Sequence, residues 1–161
     1  MGKESVGMGV RTSVWLLGIA VAAAALYGAV VAGRDAPLRP DPNNAPLVAL
    51  GKLTYQQHCA SCHGANLEGQ PDWRERKPDG RLPAPPHDAE GHTWHHSDEQ
   101  LVTMVRDGMA ALAPPGYETD MPAFGDTLSE REIVAVIAFI KSTWPPAARE
   151  RQARISAQAS R

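Results

Sequence analysis

The sequence predicts a small all-α domain preceded by a single N-terminal transmembrane helix. Between residues 47 and 145, three segments carry apolar residues at helical spacing, and none shows the alternating pattern of a β-strand. Nearer the N-terminus, residues 14–33 include no charged side chain. At about 1.5 Å of rise per residue, a helix of that length reaches roughly 30 Å, the thickness of the hydrocarbon core of a bilayer.

The residues before this apolar segment predict its orientation. Lys3 and Arg11 outweigh Glu4 in residues 1–13, and the positive-inside rule therefore places these residues in the cytoplasm and the following domain in the periplasm. Cleavage as a signal sequence stays open, because residues 30–32 resemble a weak processing site. The apolar regions of signal peptides usually span only about 7–15 residues, which favours a retained anchor.

The rest of the chain divides into three stretches of different composition. Residues 34–46 contain four prolines, which is typical of a stiff, extended tether. Residues 47–145 form the predicted domain. Residues 146–161 are polar and basic, and this composition predicts a disordered or frayed helical tail.

The helices of the predicted domain have recognisable ends. The first covers about residues 47–61, and each of the other two opens on a capping box and closes on a helix-stopping residue. The second helix has the capping pair Ser97 and Gln100 and stops at Gly108. The third has the capping pair Ser129 and Glu132 and stops at Pro145. The loops at residues 69–96 and 113–126 are unusually long, which is typical of segments that wrap a ligand.

The first helix runs into the sequence CASCHG, residues 59–64, which holds the two cysteines of the chain. Two cysteines at this spacing suit a redox dithiol, half of a zinc site or a haem attachment site. A dithiol of this kind needs a preceding strand that this sequence lacks, and a structural zinc site needs four ligands where a second cysteine pair is missing. Covalent haem attachment accounts for every residue of the motif.

In that interpretation, the thiols of Cys59 and Cys62 add to the two vinyl groups of one haem and form two thioether bonds. The next residue, His63, then lies directly under the iron and serves as its proximal ligand. The attachment also explains a lone cysteine pair in an exported domain, because thioethers do not oxidise to a disulfide. The single motif predicts one covalently attached haem c.

With these residues in view, the stretch from residue 47 to 144 resembles a class I cytochrome c. The resemblance rests on the helix that leads into CASCHG, the central helix, a methionine-containing loop and a last helix that crosses the first. Gly51 and Tyr55 match the family's small and aromatic positions on the first helix, and Phe139 matches the aromatic position on the last. The resemblance implies a helical domain wrapped around one haem, acting as a monohaem electron carrier.

The sixth ligand of the iron is predicted to be Met121. It lies in the sequence DMPAF, residues 120–124, which resembles the family's ligand loop. Met104 falls on the apolar face of the central helix, and Met109 lies just past the stop of that helix, so both are weaker candidates. A thioether ligand favours Fe(II) and raises the reduction potential. Without this ligand the iron could take O2, CO or peroxide, and a gas sensor or peroxidase would become the alternative.

Other residues are predicted to surround the haem. The resemblance implies that a proline carbonyl accepts the second ring N–H of the proximal histidine, and Pro85 is the matching candidate. Trp94 is expected over a haem edge or at a propionate, with a half-buried loop aromatic as the alternative. The sequence GHTWHH offers a candidate copper site, His92, His95 and His96, against the simpler interpretation of exposed loop histidines.

Two remaining histidines, His58 and His87, are interpreted as surface or haem-edge residues.

Charge adds a prediction about partners: residues 51–145 carry 8 Lys and Arg against 14 Asp and Glu, a net formal charge of −6. An acidic domain is expected to dock on a basic patch of a protein redox partner, with rates that fall as salt rises. Nothing in the composition indicates nucleic-acid binding or a small-molecule substrate.

Together these features predict a membrane-tethered, periplasm-facing carrier that transfers single electrons between respiratory-chain components in the inner membrane, and that is not an enzyme by itself. An alternative is a haem-bearing, electron-entry subunit of a larger oxidase or dehydrogenase. The donor, the acceptor and the reduction potential are not encoded in any motif of the sequence.

Overall fold

The computed structural model describes Val21, Tyr27 and residues 38–161. The chain divides into residues 1–37 and 38–161, and all elements discussed below belong to the second unit. Apart from Val21 and Tyr27, the predicted transmembrane segment at residues 14–33 and the residues before it lie outside the described residues, so that prediction stays a prediction. Within the described part of the chain, no helix has the length and apolar character needed to cross a membrane.

The unit at residues 38–161 is helical, as predicted, and its residues include no β-strand. The helices are α1 (Ala45–His58), α2 (Ala60–His63), α3 (Asp98–Asp107), α4 (Glu130–Thr143) and α5 (Pro146–Ala159), with 3-10 turns at Thr93–His95 and Met109–Ala111. Long stretches without α-helix, residues 64–92 and 112–129, separate α2 from α3 and α3 from α4.

Helix α1 begins at Ala45, slightly before the predicted start of the domain. Asn44 caps it by accepting a hydrogen bond from the backbone N–H of Leu47 at 3.1 Å. Pro46 lies in the first turn of the helix. Backbone N–H groups in a first turn have no intrahelical acceptor, so a proline, which lacks this N–H, is tolerated there. The proline-rich tether therefore ends at Asn44, and Pro46 belongs to the helix.

Helices α3 and α4 begin where the sequence predicts, because their start signals are local. The Ser97 hydroxyl accepts a hydrogen bond from the backbone N–H of Gln100, and the Gln100 side-chain oxygen accepts one from the backbone N–H of Ser97. Ser129 and Glu132 form the same reciprocal pair. Each box satisfies two backbone N–H groups that a helix start leaves without an intrahelical partner.

The core lies where α1 crosses α4. The Tyr55 and Phe139 rings meet there with centroids 5.5 Å apart, so the predicted contact between the first helix and the aromatic position on the last is present. Buried side chains of α4 pack on α1 from one side and on α3 from another, while α5 packs on α3 and on the 3-10 turn at Thr93–His95. The buried apolar residues of this core include Leu47, Leu67, Leu101, Leu128, Ile133, Val134, Val136, Ile137, Ile140 and Trp144.

The residues after 145, expected to be a disordered or frayed helical tail, form an ordered helix that docks on the domain. Residues 146–159 form helix α5, and Gln152 in its middle is fully buried. The Gln152 Nε2 donates to Asp98 Oδ1 at 2.7 Å, and Lys141 Nζ donates to the same oxygen at 2.6 Å. The tail lacks an apolar stripe, so composition alone indicates disorder. Its helix is held instead by buried polar contacts to a distant helix start, which no local pattern reveals.

Candidate haem site

The cysteine motif forms a single tight turn at the end of α1. The carbonyl oxygen of Cys59 accepts hydrogen bonds from the N–H groups of Cys62, at 3.1 Å, and of His63, at 2.9 Å. Gly64 then ends the turn at φ 82°, a left-handed conformation that glycine adopts without strain. The turn thus presents Cys59, the residue before the short helix α2, together with Cys62 and His63 at the end of that helix.

The core of the domain fixes this turn. The Tyr55 hydroxyl, on a side chain that is 1% exposed, donates to the carbonyl oxygen of Gly64 at 2.8 Å. Burial, with the charges of nearby acidic groups, raises the pKa of Tyr55, so its hydroxyl stays a donor at any physiological pH. The residue that packs α1 on α4 therefore also anchors the end of the cysteine motif.

Both cysteines are free, and Cys62 is the more exposed of the two. Burial, with a smaller effect from Cys62, raises the pKa of the Cys59 thiol to about 11. Reactive dithiols need the opposite, a lowered pKa that populates the thiolate at neutral pH. This environment disfavours the redox-dithiol interpretation of the motif.

His63 is buried and holds a defined orientation. Its side chain is 7% exposed, and its Nδ1 lies 2.8 Å from the carbonyl oxygen of Pro85. A carbonyl oxygen only accepts, so this hydrogen bond requires the proton on Nδ1 and leaves the Nε2 lone pair available to a metal. Burial lowers the pKa of His63, and the Pro85 bond partly offsets that effect. The neutral, Nδ1-protonated tautomer is the form that a metal ligand needs.

The segment that carries Pro85 is held by its own hydrogen bonds to the loop after the motif. The Gln70 backbone N–H donates to Ala84 O, and Ala84 N–H donates to Gln70 Oε1, both at 2.9 Å. Gly69 makes the close approach possible, since a Cβ atom there would lie 2.7 Å from the Pro85 carbonyl carbon. The position of the Pro85 oxygen is therefore set by backbone packing and does not depend on a mobile loop.

His87 has a position that the sequence does not reveal. It was expected at the surface or at a haem edge, yet its ring stacks on the ring of His63, with centroids 4.1 Å apart. Its Nδ1 lies 2.8 Å from Thr93 Oγ1, and its backbone oxygen accepts the indole N–H of Trp144 at 2.7 Å. His87 thus forms one wall of the His63 site. No sequence motif marks it, because the contact depends on how the loop folds back.

Met121 is half-buried and lies on a largely exposed stretch between α3 and α4. Its backbone N–H donates to Thr119 Oγ1 at 3.1 Å. The chain then returns to α3, where Phe124 N–H donates to the carbonyl oxygen of Val105 at 2.9 Å. Met104 packs against the apolar core from α3, as expected of a core methionine, and Met109 begins a 3-10 turn.

Trp94 supplies an observation that bears on the cofactor. Its indole Nε1 is buried and has no hydrogen-bond partner among the described residues. Its ring stacks on His95 at 3.9 Å between centroids, and the guanidinium of Arg151 lies 5.4 Å from the indole. A buried N–H group without an acceptor is costly, and the carboxylate of a bound group would satisfy it. A haem propionate is such a carboxylate, so the Trp94 N–H fits the predicted cofactor.

The histidines of GHTWHH have no metal-binding arrangement. The described residues include no group of three or more His, Cys, Asp or Glu side chains placed to hold a metal ion. His92 instead stacks on Trp73, with centroids 5.5 Å apart and nearly parallel planes, and His96 meets His92 edge to face. The structure gives no support to a copper site and favours aromatic packing as the role of these residues.

Comparison with known proteins agrees with this site. The profile of the cytochrome c family matches residues 48–144. The chain is 26% identical over 112 residues to the Cbb3-type cytochrome c oxidase subunit FixP of Azorhizobium caulinodans, a match that covers 67% of this chain and 34% of the relative. It is 48% identical over 40 residues to a thiosulfate dehydrogenase of Thiomonas intermedia, covering 25% of this chain and 13% of that protein.

The chain thus spans about a third or less of the length of these curated relatives. No solved structure matches it significantly. The family match covers more than half of the sequence, and the chain belongs to the cytochrome c family. Family membership implies electron transfer and a covalently bound haem c, and Cys59 and Cys62 fit the CxxCH attachment motif.

Proposed function

We propose that this protein is a membrane-tethered monohaem carrier that passes single electrons between respiratory-chain components on the periplasmic side of the inner membrane. The observation that supports an axial role for His63 is its 2.8 Å hydrogen bond from Nδ1 to Pro85 O. That bond fixes the ring orientation and the tautomer, and it keeps Nε2 free as a donor to iron. His63 is the proposed proximal ligand.

Met121 is the proposed ligand on the opposite side. A haem c supplies a one-electron Fe(III)/Fe(II) couple, and a thioether on the second axial position favours the reduced form. With both axial positions filled by protein, substrates have no open coordination site. The chain is accordingly proposed to move electrons without acting as an enzyme in its own right.

Absorption spectroscopy of the haem-loaded protein tests this assignment. Wild-type protein should show a far-red methionine-to-iron band when oxidised and no spectral shift under CO when reduced. Met121→Ala should lose the band and bind CO, whereas Met109→Ala should keep both wild-type properties. A high-spin oxidised wild-type spectrum with ready CO binding would refute the carrier and favour a gas sensor or a peroxidase.

The attachment residues have a separate test. Cys59→Ala combined with Cys62→Ala should abolish covalent haem, seen as the loss of haem staining on a denaturing gel. His63→Ala should retain the covalent haem while losing its low-spin spectrum, because the thioether bonds do not depend on the axial ligand. Haem staining that persists in the double cysteine variant would contradict the assignment.

The membrane and periplasmic parts of the proposal rest on residues 1–33. The absence of charge in residues 14–33 and the basic residues before them support an anchored, exported domain. Anchoring would hold the domain near its partners and raise its effective concentration. Full-length protein should stay in the membrane pellet after carbonate extraction, and a chain lacking residues 1–33 should not. Recovery of the full-length protein in the soluble fraction would contradict the anchor.

Electron delivery within a larger complex is the second candidate function. One relative is named as an oxidase subunit and the other as a dehydrogenase. Each is much longer than the matched region, so this chain corresponds to only part of either protein. Purification in mild detergent separates the two candidates: stable stoichiometric co-purification with other subunits favours the complex, and a free haem protein favours the mobile carrier.

The charge of the domain supports a proposal about its protein partners. Residues 51–145 carry a net formal charge of −6 and residues 146–161, most of which form α5, carry +3, so residues 51–161 are acidic at −3 before any propionates are counted. A partner with a basic docking patch would therefore meet this domain faster at low ionic strength. Stopped-flow oxidation by a basic redox protein should slow as NaCl rises. A rate that does not depend on salt would contradict electrostatic docking.

A further inference from the structure

A charged turn at residues 77–81 lies against the segment that carries Met121. The Lys77 N–H donates to Arg81 O at 2.9 Å, and the Gly80 N–H donates to Lys77 O at 2.8 Å. Gly80 has φ 84° with open space around its α-carbon, so glycine is required there by conformation and not by crowding. This closed turn directs the side chains of Lys77 and Arg81 to the same neighbour.

That neighbour is Asp120, the residue immediately before Met121. Arg81 Nη1 donates to Asp120 Oδ1 at 2.7 Å, while Lys77 Nζ donates to the other carboxylate oxygen. Arg81 Nε also lies 3.7 Å from a carboxylate oxygen of Glu118. Two cations therefore hold the two oxygens of one carboxylate, across about forty residues of sequence.

Residues 109–123, which include Met121, have few other polar contacts with distant parts of the chain. Among the hydrogen bonds of the described residues, those that join residues 109–123 to a distant segment are the two accepted by Asp120. The bonds of Tyr117 and Met121 stay within the loop, to Pro114 O and Thr119 Oγ1. The Lys77–Arg81 turn therefore restrains the loop on the side before Met121, while the N–H groups of Phe124 and Gly125 restrain it after Met121 by donating to the carbonyl oxygens of Val105 and Arg106.

Arg81 also begins the segment that contacts His63. Pro85, four residues further along, accepts the hydrogen bond from His63 Nδ1. Residues 81–85 thus reach the proposed proximal ligand at one end and the neighbour of the proposed distal ligand at the other. A short backbone segment, itself fixed by Gln70 through Ala84, connects both sides of the site.

We propose that Lys77 and Arg81 are positioning residues for Met121, acting through Asp120. The proposal rests on the proposed function, in which the Met121 sulfur is the sixth ligand. A neutral thioether binds iron weakly. It stays bound only when other contacts already hold its loop in place, because binding then does not have to offset the conformational entropy of a free loop. The cation pair on Asp120 provides this restraint. Releasing it lets exogenous ligands compete for the iron.

Displacement of the methionine by imidazole in the oxidised, haem-loaded protein measures the restraint. Asp120→Asn, and Lys77→Gln combined with Arg81→Gln, should each raise the apparent imidazole affinity about fivefold, the scale expected of exposed ion pairs. Asp126→Asn removes an exposed acid further along the same loop and should match wild type. Asp120→Glu keeps the carboxylate and should restore most of the wild-type resistance to imidazole. High salt should weaken the wild-type restraint and leave the Asp120→Asn variant unchanged.

The controls separate the positioning role from the ligand assignment. If wild type lacks the far-red methionine band, Met121 is not the ligand, and both the proposed function and this proposal fail. If the band is present and is lost in Met121→Ala, yet Asp120→Asn takes up imidazole like Asp126→Asn, the positioning role alone is refuted. Thermal unfolding of every variant, monitored by circular dichroism, tests for general destabilisation. If the unfolding midpoint falls in proportion to the gain in imidazole affinity, the variants act by destabilising the whole domain, and the positioning role is refuted.

Discussion

Gly51 packs directly on the backbone of Ala135, where α1 crosses α4. A Cβ atom at Gly51 would lie 1.8 Å from the Ala135 carbonyl oxygen and 2.9 Å from the Cβ of Phe139. Both contacts are far closer than carbon and oxygen atoms can approach, so the two helices cross at this distance only because residue 51 has no side chain. The same helix crossing positions Tyr55, whose hydroxyl donates a hydrogen bond to the Gly64 carbonyl oxygen at the end of the cysteine turn.

Gly51→Ala should therefore separate the helices and destabilise the protein. Overpacking of this kind costs about 3 kcal/mol or more in the free energy of unfolding, because the obstructing atoms are backbone and cannot rotate away. Lys52→Ala, at an exposed position on the same helix, should change it by less than about 0.5 kcal/mol. Urea unfolding of both variants measures the difference. Equal midpoints would mean that the crossing is looser than this contact implies.

Trp144→Phe tests the hydrogen bond that fixes His87. The Trp144 side chain is 2% exposed, and its indole N–H donates to the His87 carbonyl oxygen at 2.7 Å. Phenylalanine leaves that oxygen without its donor, which should lower the free energy of unfolding by about 1–3 kcal/mol. Trp73→Phe is the matched control: Trp73 is half-buried and stacks on His92, and its loss should cost under about 1 kcal/mol. Chemical denaturation compares the two.

The docking of α5 depends on Gln152. Its Nε2 group has three oxygens within reach, Asp98 Oδ1 at 2.7 Å, Ser156 Oγ at 2.9 Å and the His96 carbonyl at 3.2 Å. Gln152→Ala removes the donor and leaves a cavity, so α5 should open locally at a cost of about 2 kcal/mol. Gln158→Ala, on the exposed side of the helix, should have no effect.

Trypsin detects this opening, because α5 carries Arg149, Arg151 and Arg154. Cleavage at these residues should be several times faster in Gln152→Ala than in wild type or in Gln158→Ala. An unchanged cleavage rate would show that α5 is held by other contacts. Mass spectrometry of the first fragments identifies the sites.

How far the sequence predicted the structure depended on whether the signal was local. The starts of α3 and α4 were predicted because a capping box lies within four residues. The attachment motif was equally local, and the resemblance that it supported suggested Pro85. The docking of α5 and the stacking of His87 on His63 were not predicted, because Gln152 and His87 act through partners about 55 residues away or across a folded loop. Such polar contacts leave no periodic pattern in the sequence.

The histidines near α3 predict how stability depends on pH. Partial burial, together with His95 and Arg74, lowers the pKa of His92 from its usual 6.5. Burial and the neighbouring His92 and His95 lower the pKa of His96 in the same way. In the unfolded chain these rings take up protons near pH 6.5, whereas in the folded chain they do so only at lower pH.

The unfolded state therefore binds more protons than the folded state just below pH 6.5, and the free energy of unfolding should fall as the pH drops through that value. The loss should level off below the folded pKa values, where both states are protonated. Urea unfolding of the holoprotein between pH 5.5 and 7.5 measures the slope. His92→Asn combined with His96→Asn should flatten it in part, since burial also lowers the pKa of His87. A double variant with the wild-type slope would show that His92 and His96 do not carry this pH dependence.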